Sequence, residues 1–143
     1  MRRIVGFANG CFDILHEGHI KLFKEAKKKC NYLVVGLNSD QSIRKIKGSD
    51  RPIFNQKHRK TILGNIKYVD KVIVFNEETP KKIILKLKPD IIFKGSDYKK
   101  KKVIGYKLLS NKGKVCIIKI KKNISTTKLV KSLIVKMSKF FKR

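Results

Sequence analysis

The sequence has no tryptophan, three prolines and three cysteines, and only 10 acidic residues against 37 Lys and Arg. Each shortage excludes something. Cys11, Cys30 and Cys116 are odd in number and show no CxxC spacing, which excludes a disulfide framework and a structural zinc site built from cysteine alone. Reduced thiols fit a cytoplasmic compartment. With no Trp and 4 Tyr, the chain has little material for stacking exposed bases. No apolar run reaches the roughly 18 residues of a membrane-spanning helix. Met1-Arg2-Arg3 and the apolar Ile4–Ala8 open like a secretory leader, but the stretch breaks at Asn9-Gly10 and meets Asp13, too early for a cleavage site.

What is plentiful is lysine. The formal net charge is +27, from 31 Lys and 6 Arg against the acids. Such a balance is the usual mark of a polyanionic partner. The excess of Lys over Arg and its spread along the whole chain favour a solvated, lysine-coated surface instead, because base-edge readout and bidentate phosphate contact draw on the guanidinium fork. In both cases the field steers anionic substrates inward at low salt. At 143 residues and 41% hydrophobic, the chain is expected to form one domain, 1–143, with a core of its own.

Short apolar runs alternate with helical stretches. Ile4–Ala8 reads as a first strand, 18–29 as a helix with Ile20, Phe23 and Ala26 inward, and Tyr32–Leu37 as a strand buried on both faces. Asn38-Ser39-Asp40 offers a cap for a short basic helix, and Gly48–Pro52 reads as a loop. A helix over 56–66 turns Ile62, Leu63 and Ile66 inward, and Lys71–Phe75 is a third strand. Thr79 caps a helix with Pro80 at its first position, running through Leu87. Ile91–Phe93 is a fourth strand, and Val115–Ile118 a fifth, after a turn at Asn111–Gly113. Ser125 or Thr126 caps a last helix whose apolar side carries Leu129, Val130, Leu133, Ile134, Met137 and Phe140. That helix is basic and amphipathic enough for a membrane surface, but core packing suits a final strand–helix unit better. Lys99–Lys102 reads as a solvated loop or helix start. The alternation predicts an α/β protein with a doubly wound parallel sheet, whose ligand lies beyond the carboxyl ends of the strands.

The chemistry concentrates directly after the first strand, in Asn9-Gly10-Cys11-Phe12-Asp13-Ile14-Leu15-His16-Glu17-Gly18-His19. Two histidines three apart at a helix start share one face. Gly18 between them leaves room for a ligand against the backbone. The helix N-terminus adds free N–H groups and partial positive charge. Together they form an anion site suited to a phosphate gaining charge in a transition state, and one that could respond to pH near neutrality. Zinc is the other use of such a pair; no set completes it in this segment, although Asp13 could serve as a third ligand. His58 reads as an ordinary helix residue.

Asn9–Asp13 followed by His16-Glu17-Gly18-His19 resembles the GxFD…HxGH signature of the nucleotidyltransferase superfamily, and Ile124-Ser125-Thr126-Thr127-Lys128 resembles its second signature. The resemblance covers nearly the whole chain. It implies a Rossmann-like, three-layer α/β/α fold with five strands in the order 3-2-1-4-5. Among the small cytidylyltransferase-like members, Asn38-Ser39-Asp40, Lys47-Gly48-Ser49-Asp50-Arg51-Pro52 and Lys94-Gly95-Ser96-Asp97-Tyr98 are similar to segments of the D-glycero-β-D-manno-heptose 1-phosphate adenylyltransferases, in the form that stands alone rather than behind a sugar kinase. Ile120 and Gly95–Tyr98 depart from the pattern of the glycerol-3-phosphate cytidylyltransferases, the alternative within the class.

The resemblance implies transfer of AMP from ATP to a sugar 1-phosphate by direct in-line attack, with Mg²⁺ accompanying ATP. His16, His19 and Lys47 would be catalytic. Asn9, Gly10, Cys11, Phe12, Asp13, Gly18, Lys45, Gly95, Asp97, Ser125, Thr126 and Thr127 would bind the nucleotide, Asp13 by orienting a histidine or the Gly10 turn. Arg51 and Arg59 would meet the acceptor, unless Arg59 is a surface residue of its helix. No protein metal ligand is expected. The implied partners are ATP and a sugar phosphate within a homodimer, with no need of nucleic acid or membrane. A basic module that binds RNA or an anionic surface is the rival from outside the enzyme class.

Overall fold

The computed structural model describes residues 1–109, 113–121 and 125–142. Its elements are β1 (Val5–Gly10), α1 (Glu17–Lys27), β2 (Tyr32–Asn38), α2 (Asp40–Lys47), α3 (Gln56–Gly64), β3 (Lys71–Phe75), α4 (Lys81–Leu87), β4 (Ile91–Gly95), β5 (Lys114–Ile118) and α5 (Thr126–Phe141), with a 3-10 turn at Lys100–Lys102. The turn expected at Asn111 and the signature residue Ile124 lie outside the described residues. The strands form one sheet in the order β3-β2-β1-β4-β5, and every pairing is parallel. This is the Rossmann-like α/β arrangement the sequence implies. The chain winds outward from β1 to β3, then returns to β4 and β5 on the other side. A crevice therefore opens where the carboxyl ends of β1 and β4 part.

Burial on both faces explains the unbroken apolar runs. Successive side chains of a strand point to opposite faces. Ala8, Leu33, Val35 and Phe93 join Leu22, Phe23 and Ala26 of α1 and Leu63 of α3 in one cluster. Their neighbours Phe7, Val34 and Ile92 join Ile84 of α4, Val103 and Leu109 on the opposite face. β1 runs on through Asn9 and Gly10, which the sequence reads as a stop, because both pair with Gly36 and Leu37 of β2. That extension carries Asn9 and Gly10 to the crevice.

Four expectations about helices are corrected. On α1 the buried stripe is Gly18, Leu22, Phe23 and Ala26, and Ile20 lies off it, exposed. On α3 the buried positions are Arg59 and Leu63, so Ile62 is displaced to the exposed flank. Pro80 is itself the N-cap of α4, with no side-chain cap bond, rather than its first residue. Most importantly, α5 buries none of its residues. Leu133, Ile134, Met137 and Phe140 are more than half exposed, so core packing of this helix is overturned. Its apolar stripe is real, but no element among the described residues buries it.

Candidate active site

The β1–α1 connection turns at Phe12, whose φ of 42° is left-handed for a residue with a side chain. The turn sends the Phe12 ring inward onto Phe23 and sets it nearly perpendicular to the His19 ring, at 5.2 Å between centroids. His16 then caps α1. Its Nδ1 accepts from the Gly18 N–H at 3.2 Å, while His19 Nδ1 accepts from the His16 N–H at 3.3 Å. The two histidines thus fill the places that Ser or Thr and Glu or Gln take in a reciprocal helix cap. Their rings stack with centroids 3.8 Å apart and planes 25° from parallel. Because both Nδ1 atoms accept, the proton of each neutral ring is assigned to Nε2, leaving two N–H donors for a ligand.

Electrostatics keeps the pair neutral. Burial drives the His19 pKa down to about 3, helped by His16 and the Lys47 ammonium. Burial also lowers His16, against an opposing pull from Glu17. The pH response near neutrality anticipated for these histidines is therefore not set by His19, which stays uncharged well below that range. Gly18 is needed for the stack itself: a Cβ there would lie 3.0 Å from the His16 ring and 3.1 Å from Ile120.

These rings look into a cleft of about 540 Å³. Asn9, Gly10, Cys11, Phe12, Asp13, His16, Gly18 and His19 line it from the first connection, and Lys47 and Arg51 from the end of α2 and the loop beyond. Gly95 and Asp97 line it after β4, and Ser125, Thr126 and Thr127 at the head of α5. The walls are tied together. Ser96 Oγ donates to the Ile120 carbonyl and accepts from its N–H, both at 3.1 Å. Thr126 Oγ1 donates to the Ile14 carbonyl at 3.2 Å. Ser125 Oγ accepts from Lys128 N–H, capping α5 while facing the cleft.

Three expected residues sit differently. Lys45 is exposed on α2 and lines no part of the cleft, since only Lys47, two residues on, reaches it. Arg59 is 1% exposed and absent from the lining. Its guanidinium donates to the carbonyls of Phe54, Cys11 and Asn38 and pairs with Asp40 at 2.7 Å. It is a strut between loops, its donors spent on protein oxygens. Asp13 reaches neither a histidine nor the Gly10 turn. Its carboxylate accepts from Ile53 N–H and Arg51 Nε at 2.8 Å and from Phe54 N–H at 2.9 Å. Burial pushes its pKa up, but these donors outweigh burial and hold it below the usual carboxylate range. Asp13 therefore shapes the loop that presents Arg51.

Sequence reasoning missed Lys94, Tyr98, Ser96 and Ile120 in the lining. Lys94 and Tyr98 are the ends of the Lys94–Tyr98 segment, a signal that could have found them. The Lys94 ammonium donates to the Asn9 carbonyl at 3.2 Å and lies 4.7 Å from the centre of the Tyr98 ring. Burial lowers its pKa to about 8, against the pull of Asp97 and Cys11.

A pair of neutral imidazole donors at the switch point of a parallel sheet, ringed by cations, suits a nucleotide's phosphates, and the chain belongs to the Cytidylyltransferase-like family, which it matches over residues 7–132. It is a nucleotidyltransferase. More particularly, the Bifunctional protein HldE of Rhodopseudomonas palustris (strain HaA2) is 44% identical over 127 residues, 88% of this chain and 26% of that protein. The protein of the same name from Paramagnetospirillum magneticum is 45% identical over 130 residues, 90% and 27%. The chain thus spans about a quarter of the length of these relatives. The crystal structure of the lipopolysaccharide core biosynthesis protein from Thermoplasma volcanium GSS1 has a TM-score of 0.69 and 35% identity, covering 86% of this chain and 100% of that one. Pantoate-beta-alanine ligase from Francisella tularensis shares the fold, with a TM-score of 0.63 at 19% identity over 90% of this chain and 68% of its own.

Proposed function

We propose that the chain transfers AMP from ATP to a sugar 1-phosphate, D-glycero-β-D-manno-heptose 1-phosphate, giving ADP-heptose and pyrophosphate. The observation that carries the phosphoryl-transfer chemistry is the stacked, neutral His16–His19 pair at the head of α1, with both Nδ1 atoms occupied by backbone N–H groups. The HldE relatives and the Lys94–Tyr98 segment support the choice of acceptor.

A phosphate monoester is already a competent nucleophile, so catalysis reduces to positioning and charge stabilisation. The sugar phosphate attacks the α-phosphorus in line, and pyrophosphate departs from the opposite side. The Nε2–H donors of His16 and His19 stabilise charge on the transferring phosphoryl. Lys47 and Arg51 neutralise the flanking phosphates, and the head of α5 with Ser125, Thr126 and Thr127 offers a second anion and ribose site. Among the described residues no three His, Cys, Asp or Glu side chains gather into a metal-holding group, and Asp13 is spent on the 51–54 loop. Mg²⁺ enters with ATP as part of the substrate, held by its phosphates. Cys11, Cys30 and Cys116 are free thiols, which supports a cytoplasmic setting. Pyrophosphate release with ATP and with CTP, across a panel of phosphate acceptors, tests the proposal. Turnover with ATP and heptose 1-phosphate supports it. Preference for CTP and glycerol 3-phosphate, or RNA binding without turnover, overturns it.

A further inference from the structure

The head of α5, at Ser125, Thr126 and Thr127, lines the cleft, yet none of the helix's 16 residues is buried. Its exposed apolar side chains are not scattered. At about 100° per residue, Leu129, Leu133, Ile134, Met137, Phe140 and Phe141 fall within one arc of about 140°. Phe140 and Phe141 are 74% and 76% exposed. Single exposed hydrophobes need no explanation, but a contiguous stripe of large ones marks a contact surface. Lys128, Lys131 and Lys139 stand on the opposite face, with Lys136 at its border. The Cytidylyltransferase-like match ends at residue 132, so Leu133 and the apolar residues beyond it lie outside the pattern the family shares.

Charge selects what covers the stripe. From Tyr98 to Arg143 the sequence has no Asp or Glu, and the whole chain carries +27. A second copy would bring the same lysines against these, with no carboxylate on either helix to answer them. A nucleic acid would answer the lysines but leave Leu133, Ile134 and Met137 in water. A bilayer surface with anionic headgroups meets both needs, because its acyl boundary takes the stripe and its headgroups attract the lysines. Lysine stems reach headgroups from the border of such a stripe while their ammonium groups stay wet. The helix is about 24 Å long at 1.5 Å per residue, and no helix among the described residues is long and apolar enough to cross a membrane. A helix of this kind lies in the interface rather than through it.

We propose that α5 is an interfacial anchor for an anionic lipid bilayer, with Leu133, Ile134, Met137, Phe140 and Phe141 inserted and its lysines drawn to the headgroups. This replaces the membrane-free setting that the sequence suggested. Because the head of α5 also lines the cleft, the anchor holds the cleft beside the bilayer. That holds whichever nucleotide and acceptor the cleft uses.

The test floats the full chain with vesicles of phosphatidylcholine alone and of phosphatidylcholine mixed with phosphatidylglycerol. Wild type should bind the anionic vesicles about tenfold or more tightly than the neutral ones, and the difference should shrink as salt rises. Ile134→Ser with Phe140→Ser removes two inserted side chains without changing net charge, so it should weaken anionic binding by about tenfold or more. Thermal unfolding of this double variant should match that of wild type, since both positions are exposed. The chain has no tryptophan, so Phe140→Trp adds a single reporter whose emission should shift to the blue with anionic vesicles. Equal anionic binding by wild type and the double variant, or an unshifted reporter on bound protein, leaves charge alone at work and overturns the anchor. A wild-type dimer that the double variant splits into monomers, with neither binding vesicles, gives the stripe to a second copy and also overturns it.

Discussion

His19 performs two tasks that substitution can separate. Its Nδ1 accepts from the His16 N–H within the cap of α1, and its Nε2–H faces the cleft. His19→Ala removes both. The cap loss is worth about 1 kcal/mol of stability. Loss of one preorganised donor to a transferring phosphoryl is worth about 3 kcal/mol, or about 10²-fold in kcat. His19→Gln restores a cap acceptor at a position where Glu and Gln serve this role, but it does not restore the ring stacked on His16. The expected pattern is a lowered melting temperature and a lowered kcat in His19→Ala, and recovery of the first alone in His19→Gln. The pH dependence adds an independent check. The folded pKa of His19, about 3, lies below its unfolded value of 6.5. Below pH 6.5 the unfolded chain binds a proton that the folded chain refuses. The stability from a neutral His19 is therefore present above pH 6.5 and is lost as pH falls from there towards 3, by at most about 1.4 kcal/mol per pH unit. Urea denaturation across that window should show a shallower slope in His19→Gln than in wild type. Identical slopes, or a kcat restored along with stability in His19→Gln, would refute the assignment of a buried, neutral donor.

Three further outcomes follow from the same contacts. Asp13→Asn leaves Arg51 Nε and two backbone N–H groups without a carboxylate, so it should cost about 3 kcal/mol in denaturant unfolding; a melting temperature like the wild type's would show that the 51–54 loop is held otherwise. Arg59→Met should destabilise by a similar margin, about 3 kcal/mol, through stranded carbonyls at Phe54, Cys11 and Asn38 and an unpaired Asp40, and a loss of kcat without loss of stability would return Arg59 to the substrate. Lys47→Ala should lower kcat/KM by about 10²-fold while Lys45→Ala stays within about twofold, and equal effects would mean that surface charge, not position, matters.

Much of the fold is legible because it rests on local periodicity. The run at Tyr32–Leu37 signals a strand covered on both faces, and Leu33, Val34 and Val35 do divide between two clusters. The histidine pair is legible for the same reason, since spacing along one helix fixes it. Arg59 is not, because its place depends on the carbonyls of Cys11 and Asn38, 48 and 21 residues away, and no local pattern encodes such a meeting. Lys94 is hidden by number, one lysine among 31. What distinguishes it is the Tyr98 face, supplied by the same Lys94–Tyr98 segment, and the Asn9 carbonyl, which arrives only when β1 and β4 lie side by side. For α5 the periodicity correctly marks an apolar stripe but carries no record of which surface the stripe meets.

The Arg59 guanidinium has a consequence for anyone re-engineering this scaffold. It grips the turn after β1, the end of β2 and the loop at Phe54 at once, so those three pieces of chain are mechanically one part. Grafting any one of them from a distant relative would wrench the other two out of register. New substrate preferences have to be transplanted as the whole clamped unit, or introduced on the far side of the pocket, beyond the reach of the Arg59 guanidinium.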